Sequence, residues 1–336
     1  MGRVWKCRGC YNSVNTISLF YTYSVNRAHS WRMEIVGEVE ISEAEIDQIE
    51  MHSVINVLTV VSSQLQLIQM SSTYPEVLEA PLEMIAELAD AAREQAQEKF
   101  DFQTLKSLEK SLFGALRSLE KKQPELTDGT PTEDYTLIFR EIFRVLSIRI
   151  EELNKRWNNP DAWEAYSINE FEKDFKKFFH ALEKNSKGRY RIIYNIAEQE
   201  EKDYLVQFKI SSETSSITMP ILLKDVIRDL VANARKYTPP GGAITVGISQ
   251  KKDTLRFVVE DNGYGIPEEE IPEIVKFGYR GSNVKEKVKT MGGGFGLTKA
   301  WYVTKKFGGR MWIKSELERG TKVILELPSK GGNGIN

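Results

Sequence analysis

The sequence predicts an α+β protein, with a helical hairpin or bundle in its N-terminal half and an α/β sandwich in its C-terminal half. Three observations predict this. Between residues 42 and 182, apolar side chains recur at alternating three- and four-residue steps, the period of helices that bury one face. From about residue 188 the period shortens to two in several runs, interleaved with helical stretches. Short polar and glycine-rich segments then punctuate the last third at Asp229–Thr238, Asp261–Ile266 and Gly292–Leu297.

The 336 residues leave room for two or three domains. Hydrophobic residues make up 41% and charged ones 28%, the balance of an ordinary globular chain. A net charge of −2 gives no sign of a nucleic-acid surface. No run approaches the roughly 18 apolar residues of a membrane span, and no signal peptide is evident, so the expectation is a cytoplasmic protein without a membrane span. Cys7 and Cys10 form a C-x2-C pair with only His29 nearby, which reads as two incidental thiols rather than a zinc site. Residues 1–40 read as a leader of no assigned role, with Met33 a candidate second start.

Ser42-Glu-Ala-Glu45 has the capping-box pattern of a helix start, and Met51, Val54, Leu58, Val61, Leu65 and Ile68 form the stripe that follows. Thr73-Tyr-Pro-Glu76 supplies a second capping box with proline in the first turn. The next stripe is Leu78, Leu82, Ile85, Ala89, Ala92 and Ala96, opposite a solvated acidic face from Glu83 to Glu98. Residues 41–125 therefore read as a helical hairpin. A turn at 124–131 leads to a helix over 133–157, and Ser167-Ile-Asn-Glu170 caps another carrying Phe171, Phe175 and Phe178. These helices, within 126–187, either complete a four-helix bundle in one chain or form a regulatory insert. His52 sits one position from the first stripe, and Asn56 shares its face. An imidazole offers an uncharged nucleophilic nitrogen near neutral pH. His180 lies in the Phe-rich helix and reads as core or rim.

In the last domain, 188–330, strands are expected over 189–196, 204–210, 243–248, 255–259, 310–314 and 322–327. A helix over 220–237 carries Asp229 and Asn233, four apart and hence adjacent. An amide such as Asn233 can hold a hard cation through its carbonyl oxygen. A buried carboxylate such as Asp261 can accept from an exocyclic amine, favouring adenine over guanine. Glycine-rich backbone offers unhindered N–H groups to phosphate where a helix begins. The stretch 267–291, with Arg280, Lys285, Lys287 and Lys289, reads as a mobile lid. Gly292-x-Gly294-x-Gly296 lacks the preceding strand of a dinucleotide fold, and no Gly-Lys-Thr/Ser follows, so both of those phosphate motifs are ruled out.

The three segments, in this order, resemble the N, G1 and G2 boxes of the ATP-binding domain of sensor histidine kinases, part of a wider family with gyrase and MutL. Phe277-Gly-Tyr-Arg280-Gly-Ser282 resembles the F-box region, and Gly320-Thr321 precedes the last strand. The resemblance implies a Bergerat-type sandwich binding ATP and Mg²⁺, with Asn233 as magnesium ligand. It places Lys236 near the phosphates, Tyr237 along the nucleotide, and Asp261, Gly263, Gly265 and Thr321 around the adenine. It also places Arg280 toward the γ-phosphate, with Gly292, Gly294, Gly296 and Leu297 along the phosphates. His52-Ser-Val-Ile-Asn56 resembles the H-box, which implies phosphorylation of His52, relay to the Asp of a response-regulator receiver domain, and a homodimer formed through the hairpin.

Two residues depart from the pattern. Ser53 stands where many such kinases carry an acidic base, and Asp229 where they commonly carry Asn. An acidic Asp229 keeps open an ATPase or serine kinase that uses it as base. Ser53 keeps open a non-catalytic docking protein, and with Asn56 it hints at an activity weighted toward phosphatase.

Overall fold

The structure is a computed structural model that describes residues 33–37, 41–94, 96–185, 188–285 and 293–329. Helix α1 (Glu43–Met70) begins at the expected capping box: Ser42 Oγ accepts from the Glu45 N–H at 3.3 Å, and the Glu45 carboxylate accepts from the Ser42 N–H at 2.8 Å. The second expected box does not form. Thr73 donates both its N–H (2.8 Å) and its hydroxyl (3.0 Å) to Gln123 Oε1, and a 3₁₀ turn at Pro75–Leu78, without a side-chain cap, leads into α2 (Glu79–Arg93).

The hairpin reading lacked a helix. The chain breaks after Arg93, and α3 (Phe102–Lys122) starts where the Asp101 carboxylate accepts from the Thr104 N–H at 2.7 Å. Leu108, Leu112, Leu116 and Leu119 of α3 are fully buried. Together with α4 (Thr132–Asn158), the helices close a ring in which α1 touches α2, α2 touches α3, α3 touches α4, and α4 returns to α1. Residues 41–158 thus form a four-helix bundle within one chain, and α4, left open by the sequence, is its fourth member.

The stripe of α1 from Met51 to Ile68 shares one core with the α3 leucines and with Phe139, Leu146 and Ile150 of α4. Each such side chain contributes roughly 1.5–3 kcal/mol by leaving water. Ala44–Met70 is nevertheless long and apolar enough to cross a membrane by length and composition, contrary to the sequence reading. Its apolar stripe is used in the bundle core, while Val60, Leu67 and Met70 face outward.

The second domain begins earlier than residue 188. Strand β2 (Trp163–Ser167) and helix α5 (Ile168–Asn185) leave the bundle, and Phe171, Phe175 and Phe179 enter the core of the C-terminal sheet. His180, on the same helix, is exposed. The sheet also takes a strand from the supposed leader: β1 (Met33–Ile35) pairs antiparallel with β8 (Arg310–Glu316) at its edge. Strand β3 shrinks to Ile192–Ile193. The remaining strands are β4 (Tyr204–Ser212), β5 (Ser216–Pro220), β6 (Ala243–Lys251), β7 (Thr254–Asp261) and β9 (Gly320–Pro328).

The seven-stranded order is β1-β8-β9-β7-β6-β4-β3, parallel only across β6-β4-β3, while β2 and β5 form a separate antiparallel pair. Along β6, Ile244, Val246 and Ile248 are buried while the residues between them are partly exposed, the signature of a sheet with one covered face. Helices α6 (Ile221–Tyr237) and α7 (Gly296–Lys306) pack there with α5, giving the α/β sandwich of an α+β protein.

The bundle and sandwich meet through a buried charge cluster. Asp225 of α6 accepts from Arg149 (2.8 Å) and Arg156 of α4, and from Lys299 of α7 (3.2 Å). Arg228 reaches across to Glu152 of α4 at 2.8 Å. Burial alone would push the Asp225 carboxyl up, but Lys299, Arg156, Arg149 and Arg228 hold it well below the usual carboxylate range.

Candidate active site

The C-terminal ends of α6 and β7, the start of α7 and one face of α1 converge on a cleft of about 310 Å³. It is lined by His52, Asn56, Asp229, Asn233, Lys236, Tyr237, Asp261, Gly265, Arg280, Gly294, Gly296, Leu297 and Thr321. Gly263 lies behind the wall, donating its N–H to Asp261 Oδ1 at 2.9 Å. Gly292 lies outside the described residues, as do Lys287 and Lys289; Lys285 is exposed and away from the cleft.

At the inner end, Asp261 closes β7 opposite Thr321 of β9. The Thr321 N–H donates to the same Oδ1 at 3.2 Å, leaving Oδ2 without a partner among the described residues. Burial pushes this carboxyl up to about 6, against the lowering pull of the Gly263 and Thr321 N–H groups. The free oxygen suits an amine donor. Gly265, at φ 68°, passes so close to the next strand that a Cβ would lie 2.0 Å from the Glu316 carbonyl oxygen, so the turn that carries the strand past the pocket needs glycine.

The middle of the cleft is electropositive. Lys236 and Arg280 approach each other, and neither pairs with a carboxylate among the described residues; burial first and then Arg280 lower the Lys236 ammonium. Two cations lining one cleft without a carboxylate partner among the described residues, Lys236 lying over the Tyr237 ring at 5.0 Å, make a site for phosphate oxygens. Asn233 makes no hydrogen bond among the described residues, and its amide lies where a Cβ on Gly296 would come within 2.6 Å of Nδ2. The segment after Pro267 is no loose lid over its described length. Ile271, Ile274, Val275 and Val284 are buried, and Asn283 donates to the Gly265 carbonyl at 3.0 Å.

The bundle supplies the outer wall, where Ile49, His52, Ser53 and Asn56 present one face of α1. The His52 ring meets Phe295 edge-on at 5.0 Å, and Phe295 in turn stacks on Phe277 at 4.5 Å. Burial lowers the His52 imidazole, Lys299 lowers it further, and Asp229 opposes both. The ring is therefore neutral near pH 7, with a free lone pair. Asp229, the carboxylate facing it, is held by Lys299 at 3.1 Å. Ser53 Oγ is buried without a hydrogen-bond partner among the described residues.

Sequence reasoning missed Lys299 and Phe295. The available signal for Lys299 was a lysine three residues after Gly296 on the apolar face of a helix, where a buried ammonium needs a carboxylate partner. Nothing local marked Phe295 as the ring that meets His52.

A mixed sheet with its ATP-family boxes around one cleft defines an α/β-sandwich nucleotide-binding domain. Residues 218–331 match the family model described as histidine kinase-, DNA gyrase B-, and HSP90-like ATPase. The chain is similar to the sensor histidine kinase WalK of Bacillus subtilis (strain 168), with 31% identity over 111 residues, 32% of this chain and 18% of WalK. Sensor histidine kinase Hik2 of Thermosynechococcus vestitus is 33% identical over 135 residues, 39% of this chain and 34% of Hik2. Histidine protein kinase DivJ of Caulobacter vibrioides is 34% identical over 106 residues, 32% of this chain and 17% of DivJ. The chain thus spans between 17% and 34% of the length of these relatives.

Two predictions follow from the geometry. An adenine amine placed against the free Asp261 oxygen would bind the ionised carboxylate best, so nucleotide affinity should fall as pH drops through about 6. By linkage, carboxyl NMR should find an Asp261 midpoint near about 6 in the free protein and a lower one with nucleotide bound; an unmoved midpoint would remove Asp261 from the adenine site. Gly296→Ala should displace the Asn233 amide and weaken Mg·ATP binding about tenfold or more while leaving the fold intact, since a lost charge-assisted contact is worth about 1.5–3 kcal/mol. Unchanged affinity by calorimetry would mean that Asn233 is not a ligand.

Proposed function

We propose that this chain is an ATP-dependent protein-histidine kinase that phosphorylates its own His52 and passes the phosphoryl group to an aspartate of a response-regulator receiver domain. The observation that carries this reading is the position of His52, inside the cleft that also holds Asn233, Asp261 and the facing cations Lys236 and Arg280. The adenine amine would be held by Asp261 and the phosphates by Lys236, Arg280 and the N–H groups at the start of α7. Asn233, with its free amide oxygen, would hold Mg²⁺, which would neutralise phosphate charge.

A His52 ring nitrogen forms the N–P bond as the bond from the γ-phosphorus to the bridging oxygen breaks and ADP leaves. The proton on the other nitrogen passes to Asp229, the carboxylate in the same cleft whose charge acts on the ring, which thereby replaces the acidic residue that stands in other kinases where this chain has Ser53. Catalysis by this site rests on positioning and charge neutralisation. A serine-kinase or plain ATPase reading would have Asp229 activate a hydroxyl or water instead. The neutral imidazole lowered by burial beside Asp229 favours the histidine. A cytoplasmic setting and a receiver-domain partner belong to the same proposal.

Incubation with γ-labelled ATP and Mg²⁺ should give an acid-labile, alkali-stable phosphoprotein that His52→Gln abolishes while nucleotide binding persists. Label on serine, or phosphate release with no phosphoprotein, would overturn the reading. In the same assay Asp229→Asn should slow labelling by roughly a hundredfold or more, the usual scale of a lost general base; an undiminished rate would remove Asp229 from the proton's path.

A further inference from the structure

We propose that the phosphoryl transfer takes place inside a single chain, with α3 and α4 standing where a two-helix phosphoacceptor hairpin would need a second copy. This rests on the histidine-kinase reading for its chemistry, but its structural basis is independent of it. A lone α1–α2 hairpin, with Ile85 and Leu88 covering only one side of the Met51–Ile68 stripe, would leave the other side facing water and would have to bury it against another chain. Here the whole stripe is buried, because Leu112, Leu116 and Phe139 supply the opposing layer from the same chain. The strongest apolar demand for a partner is met internally.

The ring holds one acceptor, because His52 is the bundle's sole histidine. A bundle assembled from two copies would hold two. The cleft next to His52 also belongs to its own chain. Residues 159–162 alone join α4 to β2, and α4 itself supplies Arg149 and Arg156 to the Asp225 cluster. All the anchoring side chains are at most a quarter exposed, and Lys299 extends the cluster to Asp229 beside the imidazole. The sandwich is thus tied to the face of α4 in the register that sets its nucleotide cleft against α1 of the same bundle. The expected homodimer through the hairpin is replaced by a self-contained phosphoacceptor bundle served in cis.

The test uses the full chain. Light scattering, with and without a non-hydrolysable ATP analogue, should give the monomer mass over a wide concentration range; a dimer that persists on dilution would overturn the closed bundle. His52→Gln, with an intact cleft, is then mixed with Asn233→Ala, with an intact His52, and supplied with labelled ATP. No label beyond that of either variant alone is expected, and the wild-type rate per chain should not depend on protein concentration. Label appearing on the Asn233→Ala chain would overturn transfer in cis. Should the wild type take no label at all, the kinase reading fails, while the scattering measurement still decides whether the bundle closes within one chain.

Discussion

The carboxylate of Asp225 is the constraint on which the rest of the architecture depends. It lies at the contact between bundle and sandwich, only 6% exposed, and cations from three helices converge on it. A lone buried carboxylate would neutralise itself by taking up a proton. Surrounded by Arg149, Arg156, Arg228 and Lys299, it stays ionised, and removing it would strip the buried Arg156 of the carboxylate it pairs with and leave the other three to share Glu152 and Asp229. A cluster of this kind adds little net stability over an apolar contact of the same size. Its value is geometric, because directional charge-assisted bonds fix one docking register where apolar packing would tolerate several.

That register has a chemical consequence. Lys299 divides its ammonium between Asp225 and Asp229, so the group that anchors the two domains also holds the carboxylate beside His52. The imidazole feels opposing influences. Burial and Lys299 lower it toward the neutral form while Asp229 opposes them, and in the proposed transfer Asp229 would take the proton that leaves the ring. Ser53 leaves no acid at the position following His52, and α6 brings the Asp229 carboxylate to the imidazole instead. In the proposed transfer the base comes from the other domain, which works only if the two are held in a fixed relation.

The nucleotide end follows a different logic. Asp261 is anchored through one oxygen by two backbone N–H groups and leaves the other free. Lys236, lying over the Tyr237 ring at 5.0 Å, and Arg280 repel each other and have no carboxylate partner among the described residues, an arrangement that an arriving anion would relieve. The pocket is thus polarised along its length, with an acceptor at the inner end and donors toward the bundle. Adenine and triphosphate carry the complementary order.

Much of this was legible in the sequence, because the signals concerned are local. The 3.6-residue stripe of α1, the capping box at Ser42, and the Asn233, Asp261 and glycine segments depend on neighbours only a few residues away, so their spacing carries their structure. The second capping box failed where a distant group won, since Gln123 at the far end of α3 takes the Thr73 hydrogen bonds. What only the tertiary structure decided were the long-range partnerships. The α3 leucines and α4 close the bundle, Met33–Ile35 joins the edge of a sheet formed nearly 280 residues later, and Lys299 meets Asp225 and Asp229. The stripes of α3 and α4 mark them as helices without naming their partners, and a buried charge or an edge strand likewise finds its partner through the packing of the whole chain and not through its position along it.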